Sequence, residues 1–277
     1  MNKRQLINES IDYIIENSYE DISIESVAEH FHYSKYYFCR VFKEVTGESL
    51  YAFIKRLKMD QSAIELKLEK YKTITAIGTD FGYSASNYSS AFSKHHQVSP
   101  YEFRQSAYET SEVSPFYPKG RVDFGTFEDY DARVTVQEMG ECFVIYERMI
   151  GNYIELREKW FTFMKNYRDY IKEDTIRMER FYNDPAISEV NHCICDLCVT
   201  VDKTCKLDNT STIGGGRFLV YHFSGAIEDI YHTIQGIFRI WMPESGYQMD
   251  KRYGLNIYRQ VDITHGFVTM DICIPIK

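Results

Sequence analysis

His192-Cys193-x-Cys195-x-x-Cys198, followed by Cys205, offers imidazole and thiol ligands, and Cys-x-x-Cys is a spacing that zinc accepts. The stretch Cys193 to Val201 alternates in the manner of a β-strand, however, and a strand sends Cys195 and Cys198 to opposite faces. Ligands divided across a sheet do not converge on one ion. The cysteines, seven in all, are therefore expected as free thiols, the reading made of a chain with no secretion signal. No metal or other cofactor is expected. A hydrolytic site would need a general base, for which His222 and Glu244 are the candidates.

Arg40 carries a different chemistry. The period of Lys35 to Thr46 turns Phe38, Val41 and Phe42 inward, which leaves Tyr36, Cys39, Arg40 and Lys43 on the outer face of a helix. An arginine so placed can donate two hydrogen bonds to guanine O6 and N7 in a major groove, worth roughly 1–3 kcal/mol of discrimination. Tyr36 and Cys39 suit thymine methyls or sugar, and Lys35 and Lys43 suit phosphate. A second helix, Asn87 to His96, has Ser86, Asn87, Ser90 and Lys94 outward, and its short hydroxyl side chains favour backbone positioning over base reading. Arg56, Lys58, Lys72 and Arg104 are further candidates for phosphate. Overall charge gives no help. The chain carries a net −8, and residues 1–110 hold 13 Lys and Arg against 15 Asp and Glu, or 13 − 15 = −2. Attraction to a duplex must come from local placement.

A third group is aromatic: Tyr146, Trp160, Tyr182, Tyr221, Trp241 and Tyr258, with Asn256 two residues before the last. Such side chains around one polar group are the usual lining of a small-molecule pocket, though each alone would serve equally well as core.

The elements that must position these groups change character along the chain. Residues 3–104 read as short helices, with Ser23, Ser34 and Ser49 as N-caps and Gly47 as a left-handed terminator. Ile74 to Phe81, the break Gly82-Tyr83 and Asn87 to His96 repeat the earlier pattern about fifty residues on, with Ser84-Ala85-Ser86 as a turn one residue short. Two helices joined by a tight turn, twice over, make a tandem helix-turn-helix. Residues 110–132 read as a linker. Beyond it, Arg133 to Glu138 and Cys142 to Glu147 are expected to form a hairpin around Met139-Gly140-Glu141. Helices follow over Ile154 to Tyr170 and Ile227 to Met242, and strands over His192 to Val201, Arg217 to Ser224, Gly254 to Tyr258 and Phe267 to Ile274. Cys142-Phe143-Val144-Ile145-Tyr146, with Gly151 and a helix bearing Trp160, is echoed by Arg217-Phe218-Leu219-Val220-Tyr221, with Gly225 and a helix ending near Trp241. The expected architecture is an all-α tandem helix-turn-helix domain (1–109) followed by an α+β domain (133–277). The latter would consist of two β-α-β-β modules related by a pseudo-two-fold axis, with the ligand cleft between them. No run approaches the roughly 18 apolar residues of a membrane helix, so a cytoplasmic protein is expected.

The motifs Tyr33-Ser34-Lys35-Tyr36-Tyr37-Phe38-Cys39-Arg40-Val41-Phe42-Lys43, Ile77-Gly78-Thr79-Asp80-Phe81-Gly82-Tyr83 and Val98-Ser99-Pro100-Tyr101-Glu102-Phe103-Arg104 resemble the AraC/XylS family, in particular its MarA/SoxS/Rob-like branch. The C-terminal half resembles the GyrI-like effector-binding domain through Phe181-Tyr182-Asn183-Asp184-Pro185, His222-Phe223-Ser224-Gly225, Trp241-Met242-Pro243-Glu244-Ser245-Gly246 and Ile272-Cys273-Ile274-Pro275. The resemblance implies a transcription regulator that binds double-stranded promoter DNA, a small hydrophobic effector and RNA polymerase, in a multidrug or stress response. It also implies that Tyr36, Cys39 and Arg40 occupy base-reading positions. Some GyrI-like relatives are hydrolases and others sequester ligands, which are the competing classes. Where relatives carry Glu-x-Tyr, this chain has Asn256-Ile257-Tyr258. An amide keeps hydrogen bonds and loses the charge, so a neutral or weakly polar effector is expected.

Overall fold

The computed structural model describes residues 2–19, 22–69, 71–109 and 124–277, and the chain divides into two compact units, Met1–Lys119 and Gly120–Lys277. The first unit is helical: α1 (Lys3–Glu16), α2 (Ile24–His30), α3 (Lys35–Thr46), α4 (Leu50–Leu68), α5 (Ile74–Asp80), α6 (Ala85–His96) and α7 (Pro100–Glu109). Side chains of Ser23, Ser34, Ser49 and Thr73 each accept from the backbone N–H three residues on, caps typically worth about 1 kcal/mol apiece. Gly47, at φ 82°, closes α3 as the sequence predicts. Phe38, Val41 and Phe42 lie in the core with Ile7, Ile11 and Phe53, while Tyr88 and Phe92 do the same for the second repeat beside Ile77 and Phe81.

The repeat is tighter than the sequence suggests. Tyr33 N–H donates to the Ala28 carbonyl at 3.0 Å and Tyr83 N–H to the Gly78 carbonyl at 2.9 Å, an offset of 83 − 33 = 50 residues. Both turns bend through a left-handed residue, His32 (φ 59°) and Gly82 (φ 79°). Consequently α6 starts at Ala85, two residues earlier than expected, with Ser84 at its N-cap position, and its turn equals in length the one before α3. Ser86 then stands where Tyr36 stands, Ser89 where Cys39 does, and Ser90 where Arg40 does.

Gly78 tests this packing. A Cβ there would lie 2.7 Å from Tyr88 Cγ, and Tyr88 is pinned by its hydroxyl, which donates to Ser62 Oγ at 3.0 Å. Alanine favours a helix interior over glycine by about 1 kcal/mol, but overpacking a rigid ring costs about 1–3 kcal/mol. Gly78→Ala is expected to lower the denaturation midpoint of the helical unit, followed by far-ultraviolet circular dichroism. A raised midpoint would contradict the close approach.

The second unit opens with α8 (Phe127–Asp131) and continues with β1 (Val134–Met139), β2 (Cys142–Ile150), α9 (Leu156–Asn166), β3 (Arg177–Phe181), β4 (Ile194–Thr200), β5 (Thr210–Ile213), β6 (Gly216–Ala226), α10 (Ile230–Gly236), α11 (Met242–Ser245), β7 (Gly254–Asp262) and β8 (Phe267–Pro275). A π-helical segment, Ile237–Trp241, joins α10 to α11. All the strands form one antiparallel sheet in the order β1-β6-β8-β7-β3-β4-β2-β5. The expected β1–β2 hairpin does not form. β1 pairs with β6 (Val134 opposite Tyr221), and β2 pairs with β4 and β5. Apolar alternation gave both strands a partner in principle, but β6 offers β1 a strand already held by β8.

The sheet is strongly curled. Only Gly214 and Gly215 stand between Ile213, the end of β5, and Gly216, the start of β6. Those strands are six places apart in the order, roughly 29 Å in a flat sheet at about 4.8 Å per strand, so the two ends of the sheet approach each other. One face carries a buried cluster that includes Val144, Tyr146, Phe218 and Val220. Curling encloses this inner cluster, and α9, α10 and α11 cover the outer face. Of the stretch expected as linker, residues 110–123 lie outside the described residues. Residues 127–131 are α8, anchored on the second unit, where Phe127 stacks on Trp241 and Trp241 Nε1 donates to Asp131 Oδ1 at 2.9 Å. Among the described residues no helix is long and apolar enough to cross a membrane.

Candidate functional site

The outer edge of α3 is presented as expected. Tyr36 is 83% exposed, Lys35, Arg40 and Lys43 are exposed, and Cys39 is half-buried between them. Arg40 lies 5.5 Å over the Tyr37 ring, and Lys35 is ion-paired with Glu25 of α2 at the exposed surface. On α6 the exposed residues are Ala85, Ser86, Asn87, Ser89, Ser90 and Lys94, of which Ser89 lies outside the outward set expected from the sequence.

Three of the other basic residues expected at phosphate are engaged inside the unit. Arg56 is buried and paired with Glu48, with Asp60 3.8 Å away. Lys58 is buried and donates to the Phe81 carbonyl at 3.3 Å, and Lys72 bonds Glu65 at 3.0 Å and pairs with Asp80. Arg104 is half-buried on α7. For Arg56 and Lys58 the reason is geometric, because α4 lies between both repeats and these positions face protein, whereas Lys72 follows α4 and is held by its two carboxylates.

In the second unit, the central strands β3 and β7 place Glu179 directly opposite Asn256. Glu179 is 2% exposed, and Trp160 Nε1 of α9 donates to its Oε1 at 2.6 Å. Asn256 Nδ2 donates to Oε2 at 3.4 Å, and the Tyr258 hydroxyl also hydrogen-bonds the carboxylate. Trp160 and Tyr258, both half-buried, meet edge to face at 5.9 Å and form the outer layer over the buried pair. Burial raises the Glu179 pKa, opposed by its hydrogen bonds with Trp160, Tyr258 and Asn256. Burial and the neighbouring carboxylate push the Tyr258 phenol well above its ordinary value.

Glu179 is the residue that sequence reasoning missed. Arg177-Met178-Glu179-Arg180-Phe181 looks like a solvated segment, and its strand was not expected at all. The carboxylate that Asn256 lacks is thus supplied from the neighbouring strand, which removes the basis for expecting a neutral effector.

Of the seven residues expected to line a pocket, Trp160, Asn256 and Tyr258 come together. Tyr146 and Tyr182 lie on the opposite, inner face around Asp196, whose carboxylate receives Arg148 Nε at 2.7 Å, Arg180 Nε at 2.9 Å and the Tyr182 hydroxyl at 3.0 Å. Burial works against the Asp196 charge, but the two guanidiniums outweigh it and hold the pKa at about 2. Tyr221 borders a separate cavity of about 440 Å³ with Phe124, Tyr130, Arg133 and Thr233. Trp241 sits between Phe127 and Tyr247, holding α8. Strand alternation explains the division, because Tyr146 and Asn256 have opposite parity relative to the curl.

The cysteines follow the expected parity. Cys195 packs on the α9 side with Ile145 and Phe163, Cys198 packs inside with Val144, and burial raises both thiols. His222 is bonded to Asp271 Oδ1 at 2.8 Å and Thr135 Oγ1 at 3.1 Å, and Glu244 is exposed on α11.

Residues 27–106 match a helix-turn-helix domain family and residues 133–277 a GyrI-like small molecule binding domain. The chain is 32% identical over 106 residues to regulatory protein PocR of Salmonella typhimurium, covering 38% of this chain and 35% of PocR. It is 30% identical over 105 residues to regulatory protein SoxS of the same organism, covering 38% of this chain and 97% of SoxS. With the multiple antibiotic resistance protein MarA of Escherichia coli it shares 32% over 99 residues, which is 35% of this chain and 77% of MarA. The chain therefore spans about a third of PocR and most of SoxS and MarA.

Proposed function

We propose, from the premise that the chain belongs to the AraC/XylS regulators by its helix-turn-helix half and to the GyrI-like small-molecule-binding family by its C-terminal half, that it is a cytoplasmic transcription regulator whose effector is an organic cation. The DNA-reading part is residues 1–109 and the effector domain 133–277, and of the intervening 110–132 the α8 turn is held on the effector domain. Sequence discrimination falls mainly to α3, through Arg40, Tyr36 and Cys39, with Lys35 and Lys43 on phosphate. Ser86, Asn87, Ser90 and Lys94 of α6 hold the backbone. The effector lies against Trp160 and Tyr258, which cover Glu179 and Asn256, a combination of aromatic faces and an underlying charge that favours a cation. The two strand-helix-strand-strand modules, β2-α9-β3-β4 and β6-α10-β7-β8, are related by a pseudo-two-fold axis passing between β3 and β7. The strand order, which reads outward from that pair as β3-β4-β2 and β7-β8-β6, supports this. RNA polymerase is the natural protein partner of such a regulator.

The observation that carries the DNA assignment is the outward edge from Tyr36 to Lys43, backed by three buried apolar residues on a helix capped at both ends. Arg40→Ala is expected to weaken binding to the cognate promoter roughly fivefold to 150-fold, from about 1–3 kcal/mol of lost guanine contact, and to relax selectivity at one base pair. Lys43→Ala is expected to weaken all sequences alike and lower the salt slope by about 1. Quantitative gel shift at several salt concentrations reads both. Parent-like affinity and selectivity in Arg40→Ala would end the assignment.

A second reading, hydrolysis of a bound electrophile, has one observation in its favour: a buried carboxylate with a raised pKa is a usable general base. It is distinguished by the fate of the ligand, which a regulator returns with its mass unchanged.

A further inference from the structure

We propose that Asp60, His95 and His96 form a binding site for a divalent transition-metal ion of the zinc class, tying the second recognition helix α6 to the central helix α4. The three residues offer one carboxylate oxygen and two imidazole nitrogens, all within 4.8 Å of one another. That donor set suits zinc, cobalt or nickel, and three protein ligands leave a fourth position for water. His95 Nε2 already lies 2.8 Å from Asp60 Oδ1, and His96 Nε2 lies 3.3 Å from the Met59 carbonyl on the same turn of α4. The His96 ring is wedged between Phe92 (4.4 Å) and Phe103 (5.6 Å), so little freedom is lost when it binds. Tetrahedral bonds of about 2.1 Å separate ligands by roughly 3.4 Å, so the widest pair must close by a little over an ångström, within reach of a side-chain rotation.

Two further observations point to a cation. Asp60 is 1% exposed, and among the described residues its Oδ2 accepts no hydrogen bond. Its nearest guanidinium, Arg56, stands 3.8 Å away and turns to Glu48 instead. Glu48 and Asp60, both buried or nearly so, are thus served by the one guanidinium of Arg56, and a metal ion would add positive charge beside Asp60.

Cobalt(II) added to the full chain is the test, because the seven free thiols would also take zinc and cobalt reports its ligands by absorption. The expected result is one equivalent bound with the weak visible bands of nitrogen and oxygen ligation, no intense thiolate charge-transfer band, and a raised melting midpoint. His95→Gln and His96→Gln should each abolish the binding and the shift. Glutamine keeps a polar partner for Asp60, and metal-free melting curves matching the parent's would establish that both variants fold. Cobalt bound with thiolate absorption only, cobalt retained by both variants, or no binding by the parent would each overturn the proposal. None of these outcomes depends on DNA or effector binding, so failure here leaves the regulator assignment intact.

Discussion

Asp196→Asn is expected to destabilise the C-terminal unit by about 3–5 kcal/mol at neutral pH, because removing one partner of a buried ion cluster leaves the others uncompensated. Arg148 and Arg180 are both buried, and both bond the Asp196 carboxylate. Both guanidiniums also face aromatic rings (Tyr146, Tyr182 and Tyr253, with guanidinium carbons 5.0–5.8 Å from the ring centroids). The pH dependence has a definite sign. Asp196 is held at about 2 against an ordinary 3.8, so its contribution is fully present above about pH 4 and is lost as pH falls towards 2. The gap between parent and variant should therefore be widest at neutral pH and close in strong acid, where the parent's own carboxylate takes up a proton. Both tryptophans, Trp160 and Trp241, belong to this unit, so fluorescence excited selectively at tryptophan during urea titration follows it alone. A variant within about 1 kcal/mol of the parent at pH 7 would mean that the two arginines have another counter-charge.

The helical half was legible in the sequence because its signals are local. Ser34, Gly47 and the inward triplet Phe38, Val41 and Phe42 define α3 to the residue. The start of α6 is less legible, because Ser84 and Ser86 are both capping residue types and only the spacing of the buried Tyr88 and Phe92 fixes the register. In the sheet the signals are not local. Alternation identified β2, β4 and β6 and put Cys195 and Cys198 on opposite faces, but it cannot say which strand lies beside which. Hence β1 was given the wrong neighbour, and β3 was missed because its three charged residues conceal a strand buried at the sheet's centre. The pocket suffered most. Aromatic residues were counted without their faces, so Tyr146 and Tyr182 were grouped with Trp160, although they serve an ion cluster on the other side. Glu179 was invisible for the same reason: its importance comes from standing across from Asn256, a relation between residues 77 positions apart.

Glu179→Gln should then do two opposite things. Burial holds the Glu179 carboxyl above its ordinary range, so ionising it costs folded-state stability. That cost is absent below about pH 4, where the group is protonated in both states, grows as pH rises from the ordinary value to the raised one, and is constant above it. Glutamine removes the charge and keeps an acceptor for Trp160 Nε1, while the Asn256 amide and the Tyr258 hydroxyl can each turn to meet its NH2. The variant is expected to melt higher than the parent at pH 7 to 8 and with it near pH 4. Affinity for a lipophilic quaternary ammonium dye should meanwhile fall roughly tenfold to a hundredfold. That is the loss expected of an interaction with a charged group, about 1.5–3 kcal/mol, at about 1.4 kcal/mol per tenfold. Quenching of Trp160 fluorescence measures the dye, and a neutral analogue of the same shape should lose little. A carboxylate retained at the centre of a sheet against its own burial cost is explained if a cation repays that cost on binding. Unchanged dye affinity in Glu179→Gln, together with a higher melting point, would instead make Glu179 a buried acid with no ligand to hold.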